Sequence, residues 1–323
     1  MYMRNSLPSR NNYRYSMNGL PSGFIHIVRE TFGHARADAW FKNLQSIISD
    51  CERRWNIKAG QPFPNLSYNY AAPAKCSDGS EAVLKIGIPN PELQTEIAAL
   101  RLCNGEGMVR LIVADDERGI LLLERLRPGT TLVEVAEEDD EKATSIAAGV
   151  MRQLWHALPM QHSFPSTSDW AAGLKKLRSR FQGGTGPLPA QLVEQAENLF
   201  TELTASMSKA VLLHGDLHHE NILSAGGGTW QAIDPKGVVG EPEYEGGALM
   251  RNPIPRLLQW SHPERITRRR LDQLADELDF DRKRLWGWGL AQAVLSAWWD
   301  LEDKGAGWEY SIGVAEVFAR IKV

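Results

Sequence analysis

The segment His214-Gly-Asp-Leu-His-His-Glu-Asn221 and the tripeptide Ile233-Asp-Pro235 combine histidines, carboxylates and an amide at fixed spacing. Between them, Ser224-Ala-Gly-Gly-Gly228 is flanked on both sides by apolar residues, a pattern that predicts a β-hairpin. Because a hairpin returns the chain to its starting point, we expect Asp234 to lie close to Asn221. Carboxylate and amide oxygens are ligands that Mg²⁺ prefers in proteins. The two segments therefore predict a magnesium site at the base of the hairpin.

His214, Asp216 and Asn221 have the spacing H-x-D-x-x-x-x-N, which is that of the catalytic loop of protein kinases. The aspartate of such a loop accepts the proton of the attacking hydroxyl, so Asp216 is the predicted catalytic base. Two other interpretations stay open. His214 and His218 lie four residues apart, as zinc ligands on a helix would, although Gly215 argues against a helix here. The segment could also be a polar turn without chemistry.

Residues 81–88 alternate in a way that is typical of a strand, and they contain a second group of candidate residues. Successive side chains of a strand point to opposite faces, so the even-numbered apolar residues predict a face packed on the core. Lys85 and Val83 share the other face. We expect Lys85 to bind nucleotide phosphates and Val83 to lie against adenine, unless Lys85 is an ordinary solvated residue of an edge strand.

Asn90-Pro91 predicts the start of a helix over residues 92–102, because asparagine is a good N-cap and proline suits the first helical position. Glu96 lies on or beside the apolar stripe of this helix. An inward-facing carboxylate needs a cation, and Lys85 is the predicted partner, with Glu92 as the alternative acid. The apolar run from residue 120 that ends at Glu124 predicts a further strand. The backbone around Glu124 and Leu126 is the predicted adenine-binding hinge.

The motifs HGDLHHEN, IDPKGVVG, RNP at residues 251–253 and LLLERLRPG resemble those of the aminoglycoside-phosphotransferase-like kinases. The most similar branch is that of the streptomycin 6-phosphotransferases and hydroxyurea phosphotransferases, and the resemblance extends from about residue 65 to the C-terminus. It implies an α+β, bilobal protein-kinase-like fold with a small sheet-containing N-lobe and a mainly helical C-lobe. It also implies ATP- or GTP-dependent phosphorylation of a small-molecule hydroxyl. The roles that it carries over are catalytic base for Asp216, Mg²⁺ ligands for Asn221 and Asp234, and phosphate positioning for Lys85 with Glu96.

The chain departs from the wider group of such kinases at two places. The nucleotide loop, which we place at residues 68–79, contains no glycine-rich repeat, so phosphate contacts would come from other backbone groups or from Lys75. Many relatives have an aspartate shortly before an apolar helix that follows the metal-binding aspartate. Glu245 stands near that position here, and it is a predicted substrate-binding residue.

The segment Trp298-Trp-Asp-Leu-Glu-Asp303 mixes aromatic side chains with carboxylates. Such a mixture can bind guanidinium or ammonium groups by ion pairing and cation–π contact. Asp300, Glu302 and Asp303 are therefore further predicted substrate-binding residues. The competing interpretation is that these tryptophan-rich helices simply form core.

Length and charge agree with a cytoplasmic enzyme that acts on a small molecule. The 323 residues suit one two-lobed unit, and a net charge of −4 argues against nucleic acid as a partner. Three cysteines without metal spacing indicate free thiols in a reducing compartment. No membrane span and no obligate protein partner are evident. We expect a disordered tail over residues 1–20, a nucleotide-binding lobe with a helical cap over 21–126, and a catalytic and substrate-binding lobe over 127–323.

The sequence thus predicts a small-molecule O-phosphotransferase that uses Mg²⁺ and ATP or GTP, with streptomycin or hydroxyurea as acceptor. A metabolite kinase of the same superfamily, acting on an amino alcohol or a sugar, is one alternative. A nucleotide-binding pseudokinase is another, but the complete set of Asp216, Asn221, Asp234 and Lys85 argues against it, because binding alone does not require the base.

Overall fold

The computed structural model describes residues 15–16 and 19–323. Most of the predicted disordered tail, residues 1–14 and 17–18, lies outside the described residues. Contacts between residues divide the chain into two compact units. Of the described residues, the N-terminal unit contains those up to Gly105 together with Val109–Arg125, and the C-terminal unit contains Glu106–Met108 and Leu126–Val323.

The N-terminal unit is built around a five-stranded antiparallel sheet of order β3-β4-β5-β7-β6. A separate ladder joins β1 to β2. Two helices precede the sheet in the chain, and a third lies between β5 and β6. The elements are β1 (Tyr15–Ser16), β2 (Leu20–Pro21), α1 (Ser22–Phe32), α2 (His34–Trp55), β3 (Ile57–Ala59), β4 (Tyr70–Cys76), β5 (Glu81–Ile86), α3 (Pro91–Cys103), β6 (Leu111–Asp115) and β7 (Ile120–Glu124).

The core of this unit lies between helices α1 and α2 and one face of the sheet. The even-numbered residues of β5 that the sequence predicts to face a core, Ala82, Leu84 and Ile86, are fully buried in this cluster. Phe24 of α1 and Phe41 of α2 join them, with ring centroids 5.8 Å apart in an edge-to-face contact. Because this face is filled by the two helices, Lys85 lies on the opposite face of β5.

The loop expected to cover the nucleotide phosphates is not where the sequence predicts it. Residues 70–76 of the predicted loop form β4, an interior strand, and the connection between the first two strands of the sheet is residues 60–69. Small alanines conceal the alternation of this strand, and proline is rare inside sheets. Pro73 fits because β3 ends opposite Ala74, and the Pro73 carbonyl accepts the N–H of Gly60 (2.7 Å).

The C-terminal unit is mainly helical, with two short pairs of antiparallel strands. Helix α11 lies at its centre and packs against α6, α7, α8, α10 and α12, which explains why most of its side chains are buried. The elements are α4 (Leu132–Glu138), α5 (Asp140–Leu154), α6 (Thr167–Arg180), α7 (Ala190–Ala205), β8 (Val211–Leu213), β9 (Ile222–Gly226), β10 (Thr229–Ala232), β11 (Val238–Gly240), α8 (Gly246–Met250), α9 (Arg256–Gln259), α10 (Pro263–Leu278), α11 (Arg282–Lys304) and α12 (Trp308–Arg320), with 3₁₀ turns at His219–Asn221 and Pro242–Glu245.

Tryptophans 288, 298 and 299 of α11 belong to the core of this unit, in agreement with the simpler of the two interpretations of the tryptophan-rich segment. Over residues 19–323, no helix has the length and apolar character needed to cross a membrane.

Candidate active site

Two strand pairs, one nested inside the other, position the segment that contains Asp216. Strand β8 pairs with β11, and within this outer pair β9 pairs with β10. The residues that join the outer pair to the inner pair, 214–221 on one side and 233–237 on the other, therefore face each other as two loops. We call residues 214–221 the catalytic loop. The hairpin predicted around residues 224–228 is present as β9 and β10.

Main-chain hydrogen bonds close the two loops on each other. Ile233 donates its N–H to the carbonyl of Asn221 (2.9 Å), and Lys236 donates to the carbonyl of His214 (2.8 Å). Asp234 has φ of +59°, in the left-handed region that aspartate and asparagine tolerate better than other non-glycine residues. Asp234 thus lies one residue beyond the bond to Asn221, and the structure brings the two predicted metal ligands together.

The buried ring of His214 holds the start of the catalytic loop. Its Nδ1 accepts the N–H of Asp216 (3.2 Å), so Nε2 is the protonated nitrogen and donates to the carbonyl of Ile233 (2.8 Å). Burial lowers the pKa of this ring to about 4, so the ring is neutral near pH 7. Both nitrogens are engaged, which leaves none for a metal and contradicts the interpretation of His214 and His218 as zinc ligands.

Asp216 is 6 % exposed, and its neighbours in the loop fix it. Asn221 donates from Nδ2 to the carbonyl of Asp216 (3.0 Å), and His218 Nε2 lies 3.8 Å from Asp216 Oδ2. The other nitrogen of His218, Nδ1, accepts the N–H of Glu220 (3.2 Å). Because the amide nitrogen of Asn221 is used within the loop, its Oδ1 is the atom left for a ligand.

The structure corrects the predicted role of Glu245. Its carboxylate is 1 % exposed and accepts the backbone N–H groups of His214 (2.6 Å) and Gly215 (2.9 Å). Burial raises the pKa of this carboxyl to about 7, although the backbone N–H groups of Gly215, His214 and Leu217 oppose the shift. A side chain enclosed in this way contacts the catalytic loop and not a substrate, so Glu245 is a positioning residue. Its partners are backbone groups some thirty residues earlier in the chain, which no pattern of side chains reveals.

Gly215 is required by close packing. Its φ is +84°, and a Cβ at this position would lie 2.7 Å from Cη2 of Trp170 and 2.9 Å from Cγ1 of Val238. Trp170 in turn contacts Trp299 of α11 edge to face, with centroids 5.6 Å apart. Trp170 therefore packs directly against the catalytic loop at Gly215, and Trp299 packs against Trp170.

Arg270 is a further residue that sequence reasoning missed. It is fully buried and forms a bidentate ion pair with Asp140, with nitrogen–oxygen distances of 3.0 and 2.5 Å. Its Nη2 also lies 3.5 Å from Nε2 of His219 in the catalytic loop. Burial, and then the charge of Arg270, hold the pKa of His219 well below its usual value. The apolar spacing of α10 around Arg270 is the signal that could have indicated an inward-facing arginine.

Lys85 and Glu96 form the ion pair expected from the sequence within the N-terminal unit. Lys85 Nζ lies 2.6 Å from Glu96 Oε1, and the two residues are 5 % and 6 % exposed. Helix α3 begins as predicted, with Pro91 at its first position and Asn90 Oδ1 accepting the N–H of Leu93 (3.1 Å). This start places Glu96 opposite the lysine.

The remaining predicted nucleotide-binding residues lie within β5, at the end of β7 and just after it. Val83 is partly buried on β5, two residues before Lys85. Glu124 ends β7, where its N–H donates to the carbonyl of Arg110 (2.9 Å) and its carboxylate accepts the N–H of Arg110 (2.8 Å). The amide of Glu124 is thus already used within the sheet. Leu126 is partly buried at the start of the C-terminal unit, and its backbone stays a candidate for the hinge.

The predicted substrate residues of α11 have different surroundings. Asp300 Oδ1 lies 3.5 Å from Lys304 Nζ, and Ser311 donates to its other oxygen (3.4 Å). Glu302 lines a surface cavity with Lys175, Lys176 and Arg180, which disfavours a cationic acceptor there. Asp303 is exposed near the end of the helix. Their role in substrate binding stays a prediction.

The donor atoms present fit Mg²⁺ bound together with nucleotide phosphates. Asn221 offers a neutral amide oxygen and Asp234 a carboxylate, and such sites usually take only one or two protein carboxylates. Among residues 19–323 no group of three or more histidine, cysteine, aspartate or glutamate side chains converges as a self-sufficient metal centre would require. The residues present thus fit a metal whose other ligands come from phosphate and water.

Comparison with known proteins identifies the family. The model of the aminoglycoside/hydroxyurea antibiotic resistance kinases matches residues 54–304. A streptomycin 6-kinase of Streptomyces griseus is 31 % identical over 307 residues, which cover 93 % of this chain and 99 % of the relative. A hydroxyurea phosphotransferase of Kitasatospora aureofaciens is 28 % identical over 298 residues, covering 90 % of this chain and 83 % of the relative.

Solved structures with much lower identity share the fold. The aminoglycoside phosphotransferase APH(4)-Ia superposes with a TM-score of 0.62 at 14 % identity, covering 86 % of this chain and 98 % of that one. The choline kinase LicA from Streptococcus pneumoniae gives a TM-score of 0.58 at 15 % identity, with the same coverage. These similarities confirm the α+β, protein-kinase-like fold predicted from the sequence. The chain belongs to the aminoglycoside/hydroxyurea antibiotic resistance kinases, and it is a phosphotransferase that takes its phosphoryl group from a nucleotide and has a hydroxyl group as acceptor.

Proposed function

We propose that the enzyme transfers the γ-phosphate of ATP or GTP to the 6-hydroxyl of streptomycin, with hydroxyurea as the second acceptor to be tested. The extent of similarity to the streptomycin 6-kinase of Streptomyces griseus supports this choice, because it covers almost the whole of both chains. Phosphorylation of the antibiotic would give resistance to a host that expresses the enzyme.

The observation that carries the proposal is the construction of the catalytic loop. Asp216 is the proposed base: its carboxylate accepts the proton of the acceptor hydroxyl while that oxygen bonds to the γ-phosphorus and the bond to the bridging β–γ oxygen breaks. The hydrogen bonds from His214, Asn221 and Glu245 described above constrain the backbone of the loop that carries this carboxylate. Positioning of this kind is the main contribution a protein makes to phosphoryl transfer.

Asn221 Oδ1 and the carboxylate of Asp234 are the proposed Mg²⁺ ligands. The ion would neutralise charge on the β- and γ-phosphates. Because Asp234 carries the only charge of the pair, we expect its loss to weaken metal binding more than the loss of the amide.

Lys85 is the proposed phosphate-binding residue of the N-terminal unit, and Glu96 orients it. The short ion pair restricts the long lysine side chain, so less entropy is lost when its ammonium group meets a phosphate. Val83 and the backbone near Glu124 and Leu126 are the proposed contacts to the base of the nucleotide.

The test is direct detection of the product. Purified enzyme, Mg²⁺ and either ATP or GTP are incubated with streptomycin, hydroxyurea or an amino alcohol, and phosphorylated product is measured by mass spectrometry. We expect phosphorylated streptomycin and a resistant phenotype when the gene is expressed in a sensitive host. Active enzyme that phosphorylates only another acceptor would reject streptomycin and leave the broader assignment in place.

A further inference from the structure

Glu220 differs from every other polar side chain of the catalytic loop in having no partner. His214 and His218 accept backbone N–H groups through Nδ1, His219 lies against Arg270, and the Asn221 amide donates to a carbonyl of the loop. Among the described residues, no hydrogen-bond donor or cation binds the carboxylate of Glu220; only its backbone N–H is engaged.

This carboxylate is not simply a solvated surface group. Glu220 is partly buried, in the 3₁₀ turn His219–Asn221. Burial, and then the negative charge of Asp216, raise the pKa of the Glu220 carboxyl, so both its surroundings and Asp216 disfavour its charged form. Leaving such a charge unpaired destabilises the protein.

Arg270, which lies against His219 of the catalytic loop, cannot supply the missing cation. All five N–H groups of Arg270 are directed elsewhere: Nε and one Nη2 proton to Asp140, Nη1 to the carbonyls of Leu249 (3.2 Å) and Asn252 (2.7 Å), and the last toward His219. The ring of His219 is neutral for the reasons given above. Within the described part of the chain, neither Arg270 nor His219 therefore neutralises the carboxylate of Glu220.

We propose that Glu220 binds a cationic group of the acceptor, a guanidinium or ammonium, and so makes the enzyme selective for cationic acceptors over neutral ones. This rests on the function proposed above. Glu220 is four residues from Asp216, so their Cα atoms are at most roughly 14 Å apart, and a single acceptor molecule can reach both side chains. In streptomycin a guanidinium is attached to the ring carbon next to the 6-hydroxyl, whereas hydroxyurea carries no charge.

The same geometry explains why a carboxylate is the appropriate group. A guanidinium can donate two parallel hydrogen bonds to one carboxylate, which fixes the orientation of the ring that carries it as well as its position. The acceptor hydroxyl must lie in line with the γ-phosphate for transfer. Glu220 would thus set the angle at which a guanidinium-bearing ring presents its neighbouring hydroxyl to Asp216.

The test compares Glu220→Gln with the parent enzyme on two acceptors. We expect KM for streptomycin to rise by about 10–100-fold, the usual effect of losing a hydrogen-bonded charge, while KM for the nucleotide and kcat/KM for hydroxyurea stay within about twofold. Guanidinium ion should inhibit the parent competitively against streptomycin and inhibit the variant less. Glu316→Gln is the matched control, because Glu316 is an exposed glutamate on α12 outside the site.

Four outcomes decide against the proposal. An equal loss on both acceptors would assign Glu220 to the chemistry, and a higher Mg²⁺ requirement would assign it to the metal. Unchanged kinetics of Glu220→Gln would show that Glu220 takes no part in acceptor binding, chemistry or metal binding. Parent enzyme that phosphorylates hydroxyurea but neither phosphorylates nor binds streptomycin by calorimetry would overturn the proposal for Glu220 while leaving the kinase intact. A parent that transfers phosphate to neither acceptor, yet binds streptomycin in a Glu220-dependent way, would overturn only the proposed reaction.

Discussion

Glu96 and Glu245 are both buried glutamates beside a functional residue, yet they are neutralised in different ways. Glu96 faces the cationic side chain of Lys85 at 2.6 Å. Glu245 is held by the backbone N–H groups of His214 and Gly215, and no cation pairs with it among the residues that the structure describes. The first arrangement orients one movable side chain, and the second fixes the course of a whole loop. The difference indicates that the N-terminal unit orients the charge of Lys85, whereas the C-terminal unit holds the backbone around Asp216, the proposed base, in a fixed conformation.

The largest expected effect is the loss of turnover on substitution of Asp216. Asp216→Asn keeps the shape of the side chain and removes the proton acceptor, so we expect turnover to fall by about 10²–10⁴. Nucleotide binding, measured by calorimetry, should stay near that of the parent. If the variant and the parent turned over equally, the loop held by Glu245 would not contain the base.

The pH dependence of stability tests how Glu245 is neutralised. Its pKa is raised from 4.5 to about 7 in the folded protein, so between these values the folded chain binds a proton that the unfolded chain has lost. The contribution of Glu245 to the free energy of unfolding is therefore fully present below about pH 4.5 and is lost as pH rises to about 7. The free energy of unfolding of the parent minus that of Glu245→Gln should therefore decrease by up to about 3 kcal/mol as pH rises over this range.

Urea unfolding at several pH values measures this difference, and His214, which titrates in both proteins, cancels from it. A constant difference across the range would mean that Glu245 stays ionised when folded. The backbone donors would then outweigh burial, and Glu245 would resemble Glu96 in carrying a full charge.

Lys85 and Glu96 should behave as one unit. Either single substitution to alanine leaves the other charge buried, so each should lower kcat/KM for the nucleotide, and the double variant should lose less than the sum by about 0.5–3 kcal/mol. The exposed pair of Arg29 and Asp38, 2.7 Å apart, is the control and should show little coupling. Full additivity for Lys85 and Glu96 would contradict a shared role.

The smallest expected effect is a difference in stability between two substitutions of Asp234, which separates the role of its backbone conformation from that of its charge. Asp234→Asn and Asp234→Ala should both abolish Mg²⁺-dependent turnover. Only alanine should add a loss of about 1 kcal/mol in stability, since it fits the left-handed conformation less well than asparagine does. Denaturant unfolding compares the two variants. Equal stability would show that the conformation at φ of +59° costs nothing here.

Patterns between neighbours in sequence predicted much of the site. The alternation of residues 81–88, the N-cap at Asn90 and the apolar residues around the glycine turn placed Lys85, Glu96 and the hairpin correctly, because strand and helix periodicity decide which side chains share a face. The role of Glu245 and the burial of Arg270 were missed, since their partners are backbone groups and a distant carboxylate. Strand β4 was missed because its buried residues are mostly alanines.

Because Gly215 is required by packing, the His-Gly pair in a related sequence indicates the fold but does not by itself indicate phosphotransferase activity. The glycine is fixed by the ring of Trp170, the side chain of Val238 and a φ of +84°, none of which depends on the reaction. Selection for folding alone would therefore retain it after catalysis had been lost. In a related gene, a histidine and glycine without the following aspartate would mark a descendant that keeps the architecture but no longer transfers phosphate.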